Sequence, residues 1–544
     1  MNTRQLQTDK NQKLYHALLG ILLVCALAMM MLLSYWACKY SYYGAVDGRT
    51  RGVLVGDKTW AHIAVFFAAS LCTMGIDKVL MKKDKSQQEK ICLCTLIVTS
   101  VIAFILGVFY VCKNPYYPVG DQINTTAFAA YCRDGNFSML SIGGYVGMYQ
   151  QQKGLAILYE ILFTLFGDFN YRPAKILHVV WWILTILAGY GFLKLNTDRP
   201  VFRMLYCVMM LGCFPLLFYL PYIYGDVLSI SFGIILFYGV AAYEHSGQKR
   251  YIALASFAAG LAVLARKNTW IVLVAVAVYV LLVSLRKKKV RYLMAGTAIL
   301  LTAALSVKAV DVIYEVRSGY PSGVGIPSIL WVAMGLQETE GRAGVYNRYQ
   351  QATFTDYDCQ QELAAQQGKE YIRERLEEFS QDPGMAFNFF KNKVEGQWIE
   401  PMYAALESTE SFEEGAELSP VLESLYYGEL GRIIWKLTNY YQSILYLAGL
   451  MALVMLGILW WKKKEVPISL WLPWIAVFGG FLFSILWEAK SRYVFPYCVF
   501  MILYVPEGLY QMGLLLCKLP KLRKFKKSGH TQDKGEEAPL RETA

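Results

Sequence analysis

Long apolar runs alternate with short polar connections over most of the chain. Twelve of these runs approach the roughly 20 residues that an α-helix needs to cross the hydrocarbon core of a bilayer. The first run is too long for a cleavable signal peptide and lacks a small-residue cleavage site. The pattern therefore predicts an all-α polytopic membrane protein with about twelve transmembrane helices. The predicted spans are 14–38, 59–81, 91–112, 174–194, 203–221, 226–244, 251–265, 268–285, 291–310, 437–461, 467–487 and 493–516.

Composition narrows the class of protein further. Apolar residues make up 56% of the 544 residues, and charged residues make up 17%. An average soluble domain carries about 25% charged residues, so a soluble protein of several domains is excluded. Disorder over most of the chain is excluded as well, because disordered segments are poor in apolar residues. The 12 cysteines are too dilute for a disulfide scaffold, although Cys132 and Cys359 could pair.

The net charge of +12 hides an uneven distribution. Residues 311–432 contain 21 acidic and 9 basic residues, a net charge of −12, so the rest of the chain carries +24. The basic residues outside this segment form short clusters between apolar runs. Such clusters are typical of the cytoplasmic loops of membrane proteins. We therefore expect no nucleic-acid partner.

The basic clusters also predict an orientation. With twelve spans, all of them fall on one side and the acidic segment falls on the other. This predicts a multi-pass plasma-membrane protein whose N- and C-termini are cytoplasmic. The parity requires that the apolar run Gly154–Gly167, which is short and contains Glu160, does not span. We interpret it as a helix at the outer surface of the membrane; a tilted or re-entrant helix is the alternative. The clusters are Arg4–Lys13, Lys82–Lys90, Lys194–Arg203, Gln248–Arg250, Arg286–Arg291, Lys462–Lys464 and the tail from Lys518.

The chain divides into five predicted parts. In the acidic part, a soluble helix is expected over approximately Asp358–Phe379, ended by Asp382-Pro383-Gly384. The parts are a cytoplasmic N-terminus with two appended spans (1–90), a transmembrane core with a first outer loop at 113–173 (91–310), an acidic extracytoplasmic subdomain (311–435), C-terminal spans (436–517) and a basic, then polar, disordered cytoplasmic tail (518–544).

Candidate chemistry lies at the predicted outer ends of the spans. The sequence contains no Walker loop, HExxH or CxxC motif. Cations on the outer face run against the inside bias. They could snorkel or pair with the acidic loop. Alternatively, Lys and Arg could hold a lipid phosphate by charge-assisted hydrogen bonds while a carboxylate accepts a proton from an attacking hydroxyl. The residues concerned are Asp121, Lys153, Asp226, Arg266, Lys267, Lys490 and Arg492.

In type and order these residues resemble the GT-C membrane glycosyltransferases, in the branch of protein O-mannosyltransferases and aminoarabinose transferases. The resemblance covers about residues 91–320 and 467–510. It implies a GT-C-like fold and inverting transfer of a sugar from a polyprenyl-phosphate donor to a glycan, lipid or protein on the outer face. Asp121 matches an essential Asp of the first outer loop, which implies a general base. Asp226 matches a second outer Asp of the family, which implies a catalytic residue that either orients the partner of Asp121 or contacts the acceptor.

The resemblance also assigns binding residues. The family pattern Tyr-x-carboxylate-Lys-Pro corresponds here to Tyr149–Gly154, and the helix after it ends in Leu165-Phe166-Gly167. Gln152 replaces the carboxylate, which leaves divalent-metal binding open, and no other cofactor is expected. The residues implied to bind the donor's lipid phosphate are Lys153, Arg266, Lys267, Lys490 and Arg492. The residues implied to bind the sugar or the acceptor are Gln122, Tyr149, Gln151, Gln152 and Tyr224. Tyr116, Tyr117, Tyr149 and Tyr224 could stack on sugars or form an interfacial belt.

Three other classes of function stay open. A transporter or flippase for lipid-linked sugars would be expected to carry charges at span centres and to have discontinuous helices in related halves. A polysaccharide polymerase or ligase would also use outer-face cations and a lipid-linked donor. A non-enzymatic assembly protein could bind partner proteins through the acidic loop, but this function would not explain why Lys153, Arg266 and Arg492 face outward.

Overall fold

The computed structural model describes residues 3–44, 52–464 and 466–529. It is helical, with two short antiparallel ribbons. The first part forms α1 (Thr3–Lys39), β1 (Tyr40–Tyr43), β2 (Val53–Gly56), α2 (Thr59–Leu80), α3 (Lys85–Lys113), α4 (Asp121–Arg133), α5 (Tyr145–Met148), α6 (Lys153–Phe166), α7 (Arg172–Asn196), α8 (Pro200–Leu211), α9 (Phe214–Phe218), α10 (Asp226–Ser246), α11 (Lys249–Ala265), α12 (Trp270–Lys287) and α13 (Val290–Ser318). Short 3-10 turns lie at Ser138–Leu140, Gln150–Gln152 and Lys267–Thr269.

The second part begins after α13 and contains the acidic segment and the last apolar helices. It forms α14 (Ser328–Gly335), β3 (Glu338–Thr339), β4 (Arg342–Ala343), α15 (Tyr349–Asp356), α16 (Gln361–Gln381), α17 (Pro383–Trp398), α18 (Ala405–Ser408), α19 (Pro420–Tyr427), α20 (Glu429–Trp461), a 3-10 turn (Ile468–Trp471), α21 (Leu472–Leu486), α22 (Ser491–Met501) and α23 (Val505–Gly529). β1 pairs with β2, and β3 pairs with β4.

Within the described residues, nine helices are long and apolar enough to cross a membrane. α22 and the part of α23 up to Lys518 would be a tenth span if the bent pair, with its angle of 61°, crosses as one unit. The polytopic all-α prediction is therefore confirmed, while a count of twelve spans is not. The nine are Asn11–Lys39, Thr59–Leu80, Lys85–Lys113, Arg172–Asn196, Asp226–Ser246, Lys267–Lys287, Val290–Ser318, Glu429–Trp461 and Ile468–Leu486.

Two predicted spans are shorter helices. The run 203–221 is divided into α8, of 12 residues, and α9, of 5 residues. The break falls at Gly212 and Cys213, just before Pro215, whose ring nitrogen cannot donate a helical hydrogen bond. The run 251–265 is α11, whose 17 residues rise about 26 Å, slightly less than the roughly 30 Å of a hydrocarbon core.

Helix α10 forms the centre of the bundle and is buried along almost its whole length. It packs mainly against α7 and α11. At one end of the bundle, Lys287 pairs with Glu244 at 2.9 Å, and Arg199 pairs with Asp77 at 2.9 Å. Arg203 also pairs with Glu89, and Ser469, just after residues 462–464, contacts both Asn196 and Glu244. The predicted basic clusters around residues 82–90, 194–203, 286–291 and 462–464 therefore gather at this end. The loops 113–173 and 311–428 lie at the other end.

Helix α6 corresponds to the apolar run predicted to lie at the membrane surface. Two ion pairs attach it to α13: Glu160 accepts from Arg317 at 2.6 Å, and Lys153 approaches Asp311 at 2.5 Å. The position of α6 relative to a membrane stays a prediction. The helix expected over Asp358–Phe379 is α16, and Asp382 caps the next helix by accepting from the Met385 N–H.

Two further sequence predictions change with the structure. Cys132 and Cys359 are free cysteines in the described part of the chain, so they do not pair with each other. Helix α23 continues to Gly529, into the tail that was expected to be disordered. Residues 530–544 of that tail lie outside the described residues.

Candidate functional site

A cavity of about 1260 Å³ opens at the end of the bundle opposite the basic clusters. Its lining comes from the start of α4, the turn between α5 and α6, the α11–α12 junction, the α21–α22 junction, and α14 and α15 of the acidic segment. The cavity therefore lies where apolar helices end and polar loops begin. Ten of the twelve residues predicted for catalysis, donor binding or sugar binding line it, whereas Tyr116 and Tyr117, predicted only for stacking, do not. The ten are Asp121, Gln122, Tyr149, Gln151, Gln152, Tyr224, Arg266, Lys267, Lys490 and Arg492.

Asp121 is an exposed carboxylate at the first position of α4. Gly120, with φ of +59°, turns the chain immediately before the helix, a conformation that glycine adopts without steric cost. The N-terminal end of the helix dipole favours a negative charge at this position. The Tyr145 hydroxyl donates a hydrogen bond to Asp121 Oδ1 at 2.9 Å. The Asp121 Oδ2 atom accepts no hydrogen bond from the described residues, so a ligand hydroxyl has room to bind there.

A chain of polar side chains connects Asp121 with the basic side of the cavity. Gln152 donates to the Tyr224 hydroxyl at 2.6 Å and lies 3.4 Å from the Tyr145 hydroxyl. Burial raises the pKa of Tyr145, and the Asp121 carboxylate raises it further. Burial also raises the pKa of Tyr224. Both phenols therefore stay protonated near neutral pH, and the Tyr145 hydroxyl remains a hydrogen-bond donor to Asp121.

Arg266, Lys267, Lys490 and Arg492 form what we call the basic wall. Arg266 Nη1 lies 2.6 Å from Asp226 Oδ1, and Arg492 Nε lies 4.0 Å from the same oxygen. The guanidinium carbons of both arginines lie 5.2 Å from the centre of the Tyr224 ring, a distance that allows a cation–π interaction. One buried carboxylate thus accepts a hydrogen bond from the Arg266 guanidinium and lies at ion-pair distance from the Arg492 guanidinium.

Close backbone packing fixes the basic wall. Gly225 precedes α10, and a Cβ atom there would lie 2.0 Å from the Ala265 carbonyl oxygen and 2.9 Å from Arg266 Cγ. Only glycine lets the start of α10 meet the end of α11 at this point. The Arg492 guanidinium also donates to the Tyr222 hydroxyl. These contacts hold the arginines before any ligand binds.

Two of the twelve predicted catalytic and binding residues lie outside the cavity lining. Lys153 is 3% exposed, pairs with Asp311 and donates to the Ser322 hydroxyl at 2.8 Å. The ammonium group therefore points towards α13 and does not join the basic wall. Asp226 is 2% exposed and lies beneath the arginines, so its geometry is that of a positioning residue rather than one that contacts the acceptor.

The structure adds acidic residues that the sequence had not singled out. Glu407, Glu410 and Glu488 line the cavity. Behind them, Glu400 is fully buried and accepts from the backbone N–H groups of Met402, at 2.8 Å, and Ala404, at 2.5 Å. Burial and the nearby Glu407 charge raise the pKa of Glu400 to about 8. For Glu400, Glu407 and Glu410 the negative net charge of residues 311–432 was the available signal, but it could not select individual side chains, and Glu488 lies outside that segment.

Three aromatic residues were also missed: Trp331, Phe483 and Trp487. Together with the predicted Tyr149 they line a second side of the cavity, which we call the aromatic wall. Tyr116, by contrast, was a candidate for sugar stacking but is fully buried, with its hydroxyl donating to Gln122 Oε1 at 2.5 Å. In a sequence with 39 tyrosines and 13 tryptophans, ring type alone cannot separate cavity residues from core or interfacial ones.

The described residues contain no group of three or more His, Cys, Asp or Glu side chains arranged to hold a metal ion. The divalent metal that the sequence left open therefore gains no ligand set from this part of the chain. Comparisons of the chain with protein-family models, with curated proteins and with solved structures found no match.

Proposed function

We propose that the chain is a membrane glycosyltransferase that moves a sugar from a polyprenyl-phosphate donor to an extracytoplasmic acceptor. One observation carries the proposal: an exposed carboxylate, Asp121, and a pair of preorganised arginines, Arg266 and Arg492, line the same cavity at one end of an apolar helix bundle. A lipid-linked donor requires this combination of apolar surroundings, fixed cations and a base. The likeness to GT-C enzymes in residue order agrees with it.

The transfer step follows from these groups. Asp121 accepts the proton of an acceptor hydroxyl as the hydroxyl oxygen attacks the anomeric carbon of the donor sugar. The bond from that carbon to the phosphate oxygen breaks, and polyprenyl phosphate leaves with the electron pair. The arginines stabilise the charge on the leaving phosphate, because charge-assisted hydrogen bonds are strong in a partly dehydrated site. Attack opposite the leaving group inverts the anomeric configuration.

The remaining residues have supporting roles in this proposal. Asp226 positions Arg266 and Arg492, and the Tyr224 ring makes cation–π contacts with both guanidinium groups. Lys267 and Lys490 add positive charge at the cavity. The basic clusters at the opposite end would face the cytoplasm by the inside bias, which would place the cavity on the outer face.

The test uses the purified chain in detergent with a panel of synthetic polyprenyl-phosphate sugars and crude cell-envelope acceptor. We expect the wild type to release polyprenyl phosphate and to label the acceptor. Asp121→Asn should lose about 100-fold or more of this rate, as expected for a general base. Asp134→Asn is the matched control, because Asp134 is an exposed carboxylate at the other end of α4.

Three outcomes decide between the functions. Release by the wild type and by Asp134→Asn, but not by Asp121→Asn, supports the proposal and identifies the sugar. Equal release by all three removes Asp121 as the base. Folded protein that binds the donors without releasing polyprenyl phosphate from any of them contradicts the enzyme and favours a flippase.

A further inference from the structure

The aromatic wall is a continuous series of rings leading away from Asp121. The centroids of Tyr149 and Trp331 lie 6.2 Å apart, and those of Trp331 and Trp487 lie 6.0 Å apart, with planes only 2° from parallel. Phe483 stacks on Trp487 at 5.0 Å. At the other end, Tyr145, the hydrogen-bond donor to Asp121, lies 5.1 Å from Tyr149.

This wall is built from distant segments that pack tightly together. Trp331 belongs to α14 of the acidic segment, whereas Trp487 follows α21 of the bundle. At Gly335, the last residue of α14, a Cβ atom would lie 2.3 Å from the Leu486 carbonyl oxygen. The backbones therefore meet directly, which fixes the two indole rings relative to each other. Both indoles are half-buried and keep part of their surface open to the cavity.

A polar group beside the wall lacks a partner. Gln350, on α15, is fully buried and lines the cavity. Neither amide atom makes a hydrogen bond of acceptable geometry with the described residues, although the Tyr149 hydroxyl lies nearby. An unsatisfied buried amide costs about 1–3 kcal/mol. Such a group in a cavity indicates a ligand that supplies donors and acceptors.

We propose that the aromatic wall binds the acceptor and that this acceptor is a saccharide. A sugar ring presents an apolar C–H face that packs on indole and phenol rings, and hydroxyl groups that can satisfy the Gln350 amide. A hydrocarbon chain would cover the rings but leave the amide unsatisfied, which is unfavourable. The inference rests on the proposed function, because it assigns the wall to that reaction's acceptor. The series of rings then directs one end of the saccharide towards Asp121.

The test measures binding rather than turnover. The purified full chain in detergent is titrated with mannohexaose, maltohexaose and cellohexaose, and separately with undecaprenyl phosphate. We expect at least one oligosaccharide to bind. Trp331→Leu should weaken that binding by about tenfold, and Trp331→Phe should restore most of it. Gln350→Leu should weaken it while keeping the side-chain volume. Trp60→Leu is the control, because Trp60 is 70% exposed and outside the cavity lining.

The inference is overturned if none of the oligosaccharides binds, or if Trp331→Leu and Trp60→Leu bind equally well. It is also overturned if Trp331→Leu weakens the binding of undecaprenyl phosphate and not that of the oligosaccharides, since the aromatic wall would then hold the lipid chain. Thermal unfolding of each variant identifies those that fail to fold, and Trp331→Phe keeps the test decisive if Trp331→Leu is one of them. Saccharide binding without release of polyprenyl phosphate from any donor would reject the proposed transfer but keep the saccharide site.

Discussion

The basic wall and the aromatic wall of the cavity differ in what holds their side chains in place. Arg266 and Arg492 share one buried counter-charge, Asp226, which hydrogen-bonds Arg266 at 2.6 Å and lies 4.0 Å from Arg492. The indoles of Trp331 and Trp487 depend on ring packing and on direct backbone contact at Gly335. A single substitution should therefore disrupt the basic wall, whereas the contacts of the aromatic wall are spread over several residues.

The largest expected effect is at Asp226. Asp226→Asn removes the charge that two buried guanidinium groups share, and breaking one side of a buried ion pair costs about 3 kcal/mol or more. We expect a clearly lower thermal unfolding temperature in detergent, followed by intrinsic fluorescence. Asp168→Asn is the control, because Asp168 forms an ion pair with Arg133 at the surface. Equal unfolding temperatures for the two variants would show that the basic wall does not depend on Asp226.

The next largest expected effect is on the affinity of each wall for its own ligand. Arg492→Ala should weaken undecaprenyl phosphate binding by about 10- to 100-fold, the value of a hydrogen bond to a charged group. Raising the salt concentration should also weaken the binding of undecaprenyl phosphate to the wild type, because salt screens charges. Oligosaccharide binding at the aromatic wall should change little in either case.

The control for Arg492 is Arg432→Ala, since Arg432 is exposed and pairs with Glu429 within the first turn of α20. Equal donor affinity of Arg492→Ala and Arg432→Ala would argue against phosphate binding by the basic wall. A matching loss of oligosaccharide binding in Arg492→Ala would instead show that the two walls act as one site.

The two walls also differ in how far sequence could predict them. Arg266, Lys267, Lys490 and Arg492 interrupt apolar runs, and charge at the end of a predicted span is visible without a structure. Lys153 gave the same signal, yet its side chain pairs with Asp311 on α13. Periodicity and charge place a residue at the end of a helix, but the direction of its side chain depends on which helices pack together.

Apart from Tyr149, the aromatic wall had no comparable signal. Trp331 and Trp487 are 156 positions apart in the chain and meet only because α14 packs on the end of α21. The helical class and most spans followed from hydrophobic runs alone. The division of 203–221 into α8 and α9 depended on local backbone chemistry at Gly212 and Pro215, which a count of apolar residues does not include.

The smallest expected effect is a pH dependence of stability that involves Glu400. Burial and Glu407 raise the pKa of Glu400 from 4.5 to about 8 in the folded chain. The folded chain therefore keeps a proton that the unfolded chain releases. Stability from this group is fully present below pH 4.5, falls as the pH rises from there, and is lost as it passes through about 8. The unfolding temperature should decrease over this range.

Glu400→Gln should remove the part of the decrease in unfolding temperature that Glu400 causes, because an amide does not titrate. The amide oxygen can still accept the hydrogen bond from the Ala404 N–H. Glu423→Gln, on the exposed side of α19, should leave the decrease unchanged. Trp331→Leu should shift the whole curve without altering its slope, since no titrating group is removed from the aromatic wall. A slope that Glu400→Gln leaves intact would show that another group takes up the proton. A slope that Trp331→Leu abolishes would show that the protonation of Glu400 depends on the aromatic wall.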